Sequence, residues 1–282
     1  MNQPNQTYQN EFGTLYRFGE FPSKWVNSRT IDVWKPTGIQ PDKRYPVLYM
    51  QDGQNIITPE TSTTGISWGV AETLYRLVQI GEIQPHWVVG VWHDGVRRWN
   101  EYMPQQALNA EQTMAFQHKF AERLAGELRG VAYLRFLVQE LKTWVDATFA
   151  TLPQAETTTI MGSSMGGLSA LNALSTYPQV FGAAGCLSSH WTAGEQWLVS
   201  YFEQVLPMAG KHRIYFDYGT QGLDAHYEVW QLRMDDVMRL KGYQRGTDWL
   251  TEKFVGANHH ERDWRERLPL PLSFLLKPYE TD

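Results

Sequence analysis

Residues 157–167 read TTTIMGSSMGG, and one hydroxyl in that stretch stands where it can do chemistry. Gly162-Ser163-Ser164-Met165-Gly166 has the G-x-S-x-G spacing. A β-branched run, Thr157-Thr158-Thr159-Ile160, leads in, and a helix-forming run, Leu168-Ser169-Ala170-Leu171, leads out. Strand, tight turn and helix in that order form a nucleophile elbow, which lifts a serine hydroxyl above the end of a parallel sheet. Glycines two residues to either side are needed because the backbone there is strained and a Cβ would clash. Ser164 is read as a nucleophile.

Gly65-Ile66-Ser67-Trp68-Gly69 has the same spacing but a different setting. The polar run 58–64 precedes it instead of a buried strand, and a motif counts only in its structural context. Ser67 is expected to be the N-cap of a helix starting near Trp68.

A serine nucleophile needs a base to take its proton and an acid to orient that base. After an elbow of this kind the order is serine, acid, histidine. Five histidines follow Ser164: His190, His212, His226, His259 and His260. The base belongs on a loop after the last strand, which is 256–260, so His259 is favoured over its neighbour His260. His190 reads as a pocket wall. Neighbouring histidines without carboxylates or cysteines at ligand spacing give no metal site. The acid should follow the strand at 213–216, where Asp217 and Asp224 compete. Asp224, past a glycine turn, is preferred as the residue able to fold back toward the histidine, although it is also a good helix N-cap. The oxyanion requires two backbone donors. The expected pair is the amide of Met165 and the amide of Gln54, in the loop after the third strand.

These residues need a scaffold that brings distant loops to one edge. Apolar strand patterns fall at 14–18, 30–34, 45–50, 86–92, 157–161, 182–187, 213–216 and 250–255. Helical patterns lie at 68–81, 133–149, 167–177, 196–206 and 224–240, with a last one from Trp264. Such alternation predicts a mainly parallel, eight-stranded α/β sheet with helices on both faces and an antiparallel edge formed by the first two strands. No repeat or linker divides residues 1–282, so one domain is expected. The segment 107–129 is a charged, amphipathic helical insertion leaving the ligand edge, suited either to a lid or to a packed surface helix.

At 282 residues and 42% hydrophobic, the chain has ample material for a core. A net charge of −5 without a basic cluster gives no field for nucleic acid. The single Cys186 excludes an internal disulfide and reads as a buried strand thiol. Neither a signal-like start nor a stretch of about 20 apolar residues is present, so a cytoplasmic, non-membrane protein is expected.

The chain resembles the putative-esterase branch of the α/β-hydrolases, which includes enterochelin-esterase-like proteins, feruloyl and acetylxylan esterases and S-formylglutathione hydrolase. The resemblance runs from about residue 29 to 276. It rests on 45–55 (YPVLYMQDGQN), 98–104 (RWNEYMP), 133–145 (YLRFLVQELKTWV), 160–168 (IMGSSMGGL) and 259–267 (HHERDWRER). The family's histidine, any residue, glutamate, then tryptophan three on matches His259, Glu261 and Trp264, which supports His259 as base. Many relatives carry a carboxylate where this chain has Gly222, so the pattern leaves the acid open. The resemblance implies an α/β-hydrolase fold, and a serine esterase working through an acyl-enzyme on a small-molecule ester without a cofactor.

Twelve tryptophans are many for this length. Trp92, Trp99, Trp191 and Trp264 fall on the strand-end segments, where an aromatic face can stack on a sugar, a feruloyl ring or a catechol; Trp92 and Trp191 are taken as substrate-binding. Arg98 in the loop after the fourth strand is a candidate for an anionic substrate group, or for a structural ion pair. An acyltransferase using the same serine, and a non-catalytic binding protein on the same fold, are the competing readings.

Overall fold

A computed structural model describes residues 3–278. The strands are β1 (Gln6–Asn10), β2 (Gly13–Phe21), β3 (Arg29–Pro36), β4 (Val47–Gln51), β5 (Trp87–Val91), β6 (Thr158–Ser163), β7 (Ala183–Leu187), β8 (Arg213–Gly219) and β9 (Trp249–Phe254). They form one nine-stranded sheet in the order β1-β2-β3-β5-β4-β6-β7-β8-β9. Pairings from β5 through β9 are parallel; β1, β2 and β3 join by antiparallel pairing. The helices are α1 (Val70–Gln79), α2 (Arg98–Tyr102), α3 (Ala110–Lys119), α4 (Gly130–Arg135), α5 (Thr143–Thr148), α6 (Met165–Thr176), α7 (Gln196–Val205), α8 (Glu228–Leu240), α9 (Glu261–Arg267) and α10 (Pro269–Leu276).

Alternation along the central strands sends neighbouring side chains to two cores. Val47, Tyr49, Val89, Val91 and Ile160 face α4 through α8, whereas Leu48, Met50, Val88 and Met161 face α1 and α10. Both faces of the parallel strands are thus covered, which explains why they read as continuous apolar runs. Each such side chain contributes about 1.5–3 kcal/mol on burial. Cys186 is buried in β7.

The sheet has nine strands where eight were expected. The extra one, β1, is a polar edge whose five residues are all exposed. It carries no apolar alternation and is held by its turn, where Asn10 Oδ1 accepts the amides of Phe12 (3.0 Å) and Gly13 (3.2 Å). The expected helix at 133–149 is α4 and α5 joined by a π-helical stretch, Phe136–Lys142.

The insertion at 107–129 is helical over only part of its length. α3 starts at Asn109 with a capping box to Gln112 and ends at Phe120. Beyond a short 3-10 turn, Ala121–Arg123, the chain is irregular. Asn100, fully buried, explains why. Its side-chain amide donates to the carbonyls of Gly126 and Glu127, both at 2.9 Å, and its Oδ1 accepts the Ala125 amide at 3.0 Å. Those bonds take the backbone groups that a helix would pair.

Ser67 is not a helix cap. α1 begins after Gly69, which has φ 67°, and no side chain caps it. Ser67 is buried, and its carbonyl and hydroxyl accept Arg265 Nη1 at 3.0 and 3.2 Å.

The close approaches that position the sheet edge are made at glycine. A Cβ on Gly162, in β6, would lie 2.7 Å from the carbonyl carbon and oxygen of Gly166. Gly162→Ala should therefore destabilise the fold by about 1–3 kcal/mol, read as a lower urea midpoint at unchanged slope.

Candidate active site

β6 delivers Ser164 to the carboxyl edge of the sheet, and α6 leaves from the next residue. Ser164 has φ 59° and ψ −125°, a backbone conformation that residues with a side chain rarely adopt. The surroundings hold it there. Its amide donates to Leu187 O at 2.9 Å, and its carbonyl accepts the amides of Gly167, Leu168 and His190 at 3.1, 3.3 and 3.2 Å. Ser164 and His259 line the same cleft, of about 260 Å³, together with Asp52, His93, Arg98, Glu261 and Trp264.

The loop after β9 carries His259, whose Nδ1 lies 2.6 Å from Asp224 Oδ1. Trp264, Tyr227 and His190 enclose the imidazole edge-on, with ring centroids at 5.0, 5.8 and 6.4 Å. Its neighbour His260 instead caps α9, its Nδ1 accepting the Arg262 amide at 3.1 Å. The two loops are tied by backbone bonds, the Thr220 and Gln221 amides both donating to Ala257 O at 3.0 Å. A Cβ on Gly219 would lie 2.2 Å from that oxygen. Gly222 turns the chain at φ 57°, so that Asp224, two residues on, meets the histidine.

The two aspartates have different partners. Asp224 Oδ2 accepts the Gly219 amide and the Ser188 hydroxyl, each at 2.6 Å. Burial pushes its carboxyl up, but His259 and these donors outweigh that and leave it below the usual carboxylate range. Asp217 faces away from His259, toward Arg267. Its Oδ1 sits 2.9 Å from Arg267 Nη2 and 3.0 Å from the Ser188 amide, and Tyr215 donates to Oδ2 at 3.2 Å. Burial, against the offset of Arg267, pushes Asp217 up to about 6.

Met165 is the first residue of α6, so its amide has no acceptor within the helix. Gln54 lies in a buried 3-10 turn, Gly53–Asn55, entered through Asp52 at φ 55°. Arg98 fixes this loop: Nε and Nη2 each reach an Asp52 carboxylate oxygen at 2.7 Å, and Nη2 reaches Ser163 O at 3.5 Å. Tyr102 accepts the Asp52 amide at 3.2 Å, and Tyr133 donates to Gln51 Oε1. Arg98 therefore lines the cleft as the partner of Asp52, the ion-pair alternative. Glu101 pairs with Arg29 in the same way, at 2.8 Å.

Of the four tryptophans expected at the strand ends, the two taken as substrate-binding lie elsewhere. Trp92 donates to Asp32 Oδ2 at 3.0 Å and stacks under Arg17 at 4.8 Å, on the antiparallel side of the sheet. Trp191 is only 1% exposed, bonded to Gln231 at 2.9 Å and packed on Phe202 and Phe216, with no face left for a ligand. Trp264 and Trp99 are the indoles near His259 and His190. Sequence reasoning also passed over Ser188 and Arg267. Arg267 has one signal, spacing: Glu261, Trp264 and Arg267 recur every three residues on the buried face of α9, whereas Ser188 has none. Among the described residues no three ligating side chains gather for a metal, and no helix is long and apolar enough to cross a membrane.

The family named Putative esterase matches residues 24–275. The chain belongs to that family. This esterase is also similar in structure to a ferulic acid esterase (19% identical, TM-score 0.66, covering 93% of this chain and 97% of the other). A second ferulic acid esterase, from the anaerobic fungus Anaeromyces mucronatus, is 15% identical with TM-score 0.64, covering 98% and 94%. The enterobactin hydrolase IroE in complex with DFP is 18% identical with TM-score 0.64, covering 95% and 96%. At these identities the likeness speaks for the fold. Among curated proteins none matches the esterase by sequence.

Burial makes three histidines, His190, His86 and His93, hard to protonate. It pushes His190 down to about 3, with His259 and nearby cations adding to the effect, and His86 down to about 4. The unfolded chain takes up these protons from about pH 6.5 while the folded one resists, so stability falls as pH drops below 6.5, by at most about 1.4 kcal/mol per pH unit per histidine. Asp217, with its raised value, works in the opposite sense. His190→Phe should therefore flatten the loss of unfolding free energy between about pH 6.5 and pH 4 relative to wild type, as read by urea denaturation at several pH values.

Proposed function

We propose that this esterase is a serine carboxylic-ester hydrolase that works through an acyl-enzyme. Ser164 Oγ attacks the ester carbonyl carbon while His259 takes the hydroxyl proton. The amides of Met165 and Gln54 receive the negative charge on the former carbonyl oxygen. The C–O bond to the alcohol then breaks, and His259 returns the proton to the leaving oxygen. Water attacks the acyl-serine with His259 again as base, releasing the acid and restoring Ser164. Asp224 holds the imidazole in the tautomer that leaves its other nitrogen free for the serine, and offsets the charge it gains.

One observation carries this reading: a strained serine at an elbow shares a small cleft with a histidine whose far nitrogen is 2.6 Å from a buried carboxylate. The chemistry needs no cofactor. The substrate is a small ester whose acid or alcohol is a sugar, an aromatic acid or a siderophore-type group. We further propose that α3 covers this edge as a lid. Phe120 packs on Trp99, Trp99 on His190 and His190 on His259, with centroids at 5.0, 5.1 and 6.4 Å, so a shift of α3 has a contact path to the cleft.

A fluorophosphonate probe should label wild type at Ser164 and not Ser164→Ala. On a panel of p-nitrophenyl, feruloyl, acetyl-sugar and siderophore esters, Ser164→Ala should lose nearly all hydrolysis, by about 10⁴-fold or more. Labelling elsewhere, or undiminished hydrolysis by the variant, would sink the proposal. The two aspartates separate by kinetics. Asp224→Asn should lower kcat by about 10²–10⁴-fold with folding retained, because the histidine loses its tautomer control. Asp217→Asn should act first on the melting temperature, since it leaves the Arg267 charge buried without its nearest carboxylate.

A further inference from the structure

The Ser188 hydroxyl lies behind Asp224, outside the hydrolytic scheme, and it is completely buried. It donates to Asp224 Oδ2 at 2.6 Å. It accepts Arg267 Nη2 at 2.6 Å and Trp264 Nε1 at 3.1 Å. A hydroxyl offers one proton and two lone pairs, and here all three are engaged. With both acceptor sites filled by donors that cannot accept, its proton has one place to go, the Asp224 carboxylate. The direction of that hydrogen bond is set by Arg267 and Trp264.

The backbone is committed to the same arrangement. Ser188 sits at φ 40°, in the left-handed region, with its amide bonded to Asp217 Oδ1 at 3.0 Å and to Asp217 O at 2.9 Å. Arg267 Nη2 is anchored on the same Asp217 Oδ1 at 2.9 Å and lies 3.9 Å from Asp224 Oδ2. The guanidinium also rests over the Phe254 ring at 5.0 Å. Asp217 therefore holds both Ser188 and Arg267 in place, although it makes no contact with His259.

We infer that Ser188 is a positioning residue for the proposed hydrolysis, clamped by Trp264 and Arg267 so that its proton fixes Asp224 Oδ2 while Oδ1 stays on His259. Asp224 is faced by His259 from the loop after β9, by Arg267 from α9, by Asp217 from β8, by Ser188 from the end of β7 and by Tyr227 ahead of α8. Losing the Ser188 donor, or the Arg267 charge, leaves the carboxylate more negative toward His259. That favours the protonated imidazole, so the acid limb of kcat/KM against pH moves to higher pH.

This inference rests on the proposed serine mechanism, and the test keeps the two apart. Wild type, Ser188→Ala, Arg267→Met and Arg267→Lys would be compared by fluorophosphonate labelling, melting temperature, and kcat and KM for a p-nitrophenyl ester across pH. Expected for Ser188→Ala are a kcat about tenfold or more below wild type, the size of a hydrogen bond to a charged group, little change in KM, and an acid limb moved to higher pH. Arg267→Met should shift the limb in the same direction, and Arg267→Lys should bring it back toward wild type. If Ser188→Ala does not fold, the Arg267 pair carries the test alone. Folded variants that melt earlier but keep wild-type kcat and acid limb per labelled serine would overturn the inference while leaving the mechanism intact. Failure of the probe to label Ser164 in wild type would overturn the mechanism itself.

Discussion

The rest of the structure is built around one backbone constraint: a non-glycine residue at φ 59°, ψ −125°, held between a buried strand and a buried helix. Such a conformation costs on the order of 1–3 kcal/mol and persists only where its surroundings leave no alternative. Here the alternatives are closed by contact. Gly162 and Gly166 meet backbone to backbone, Gly166 backs onto Gln51, and Gly167 backs onto Ser189. The residue following Ser164 must start a helix, which aims an amide at the space beside the hydroxyl.

From that point the sheet order does the rest. With β4 and β7 flanking β6, the loops after these strands converge beside Ser164, and those after β8 and β9 follow. The loop after β4 is stiffened by a bidentate Asp52–Arg98 pair, and Arg98 in turn reaches the carbonyl of Ser163. Three arginines of this region are matched by carboxylates rather than left for a ligand. Arg98 has Asp52, Arg29 has Glu101, and Arg267 has Asp217. Buried pairs of this kind bring little net stability, but losing one partner is costly, so they specify geometry.

Much of this was legible in the sequence. All eight expected strands are present, and those of the parallel part are readable because burial on both faces leaves continuous apolar runs such as YPVLYM and HWVVGVW. β1 was invisible for the opposite reason: an exposed edge of Gln, Thr, Tyr, Gln and Asn has no pattern to read. The irregular half of the insertion follows from Asn100, a side chain outside the segment itself. Trp191 illustrates a further limit. Its place in the chain put it at the ligand edge, but its register turned the ring into the core against Phe202 and Phe216.

The elbow around Ser164 was decided by the sequence alone, since its requirement for small residues is met within five consecutive positions. The order of the candidate acid and base along the chain was equally plain. Which aspartate meets which histidine was left to the tertiary structure. Asp224 and His259 are 35 residues apart, and Ser188 and Arg267 are 79 apart. Their contacts depend on how β7, β8 and β9 align and on how one loop hydrogen-bonds to the next. Such distances are set to a few tenths of an ångström by packing of the whole edge, and no local pattern encodes them.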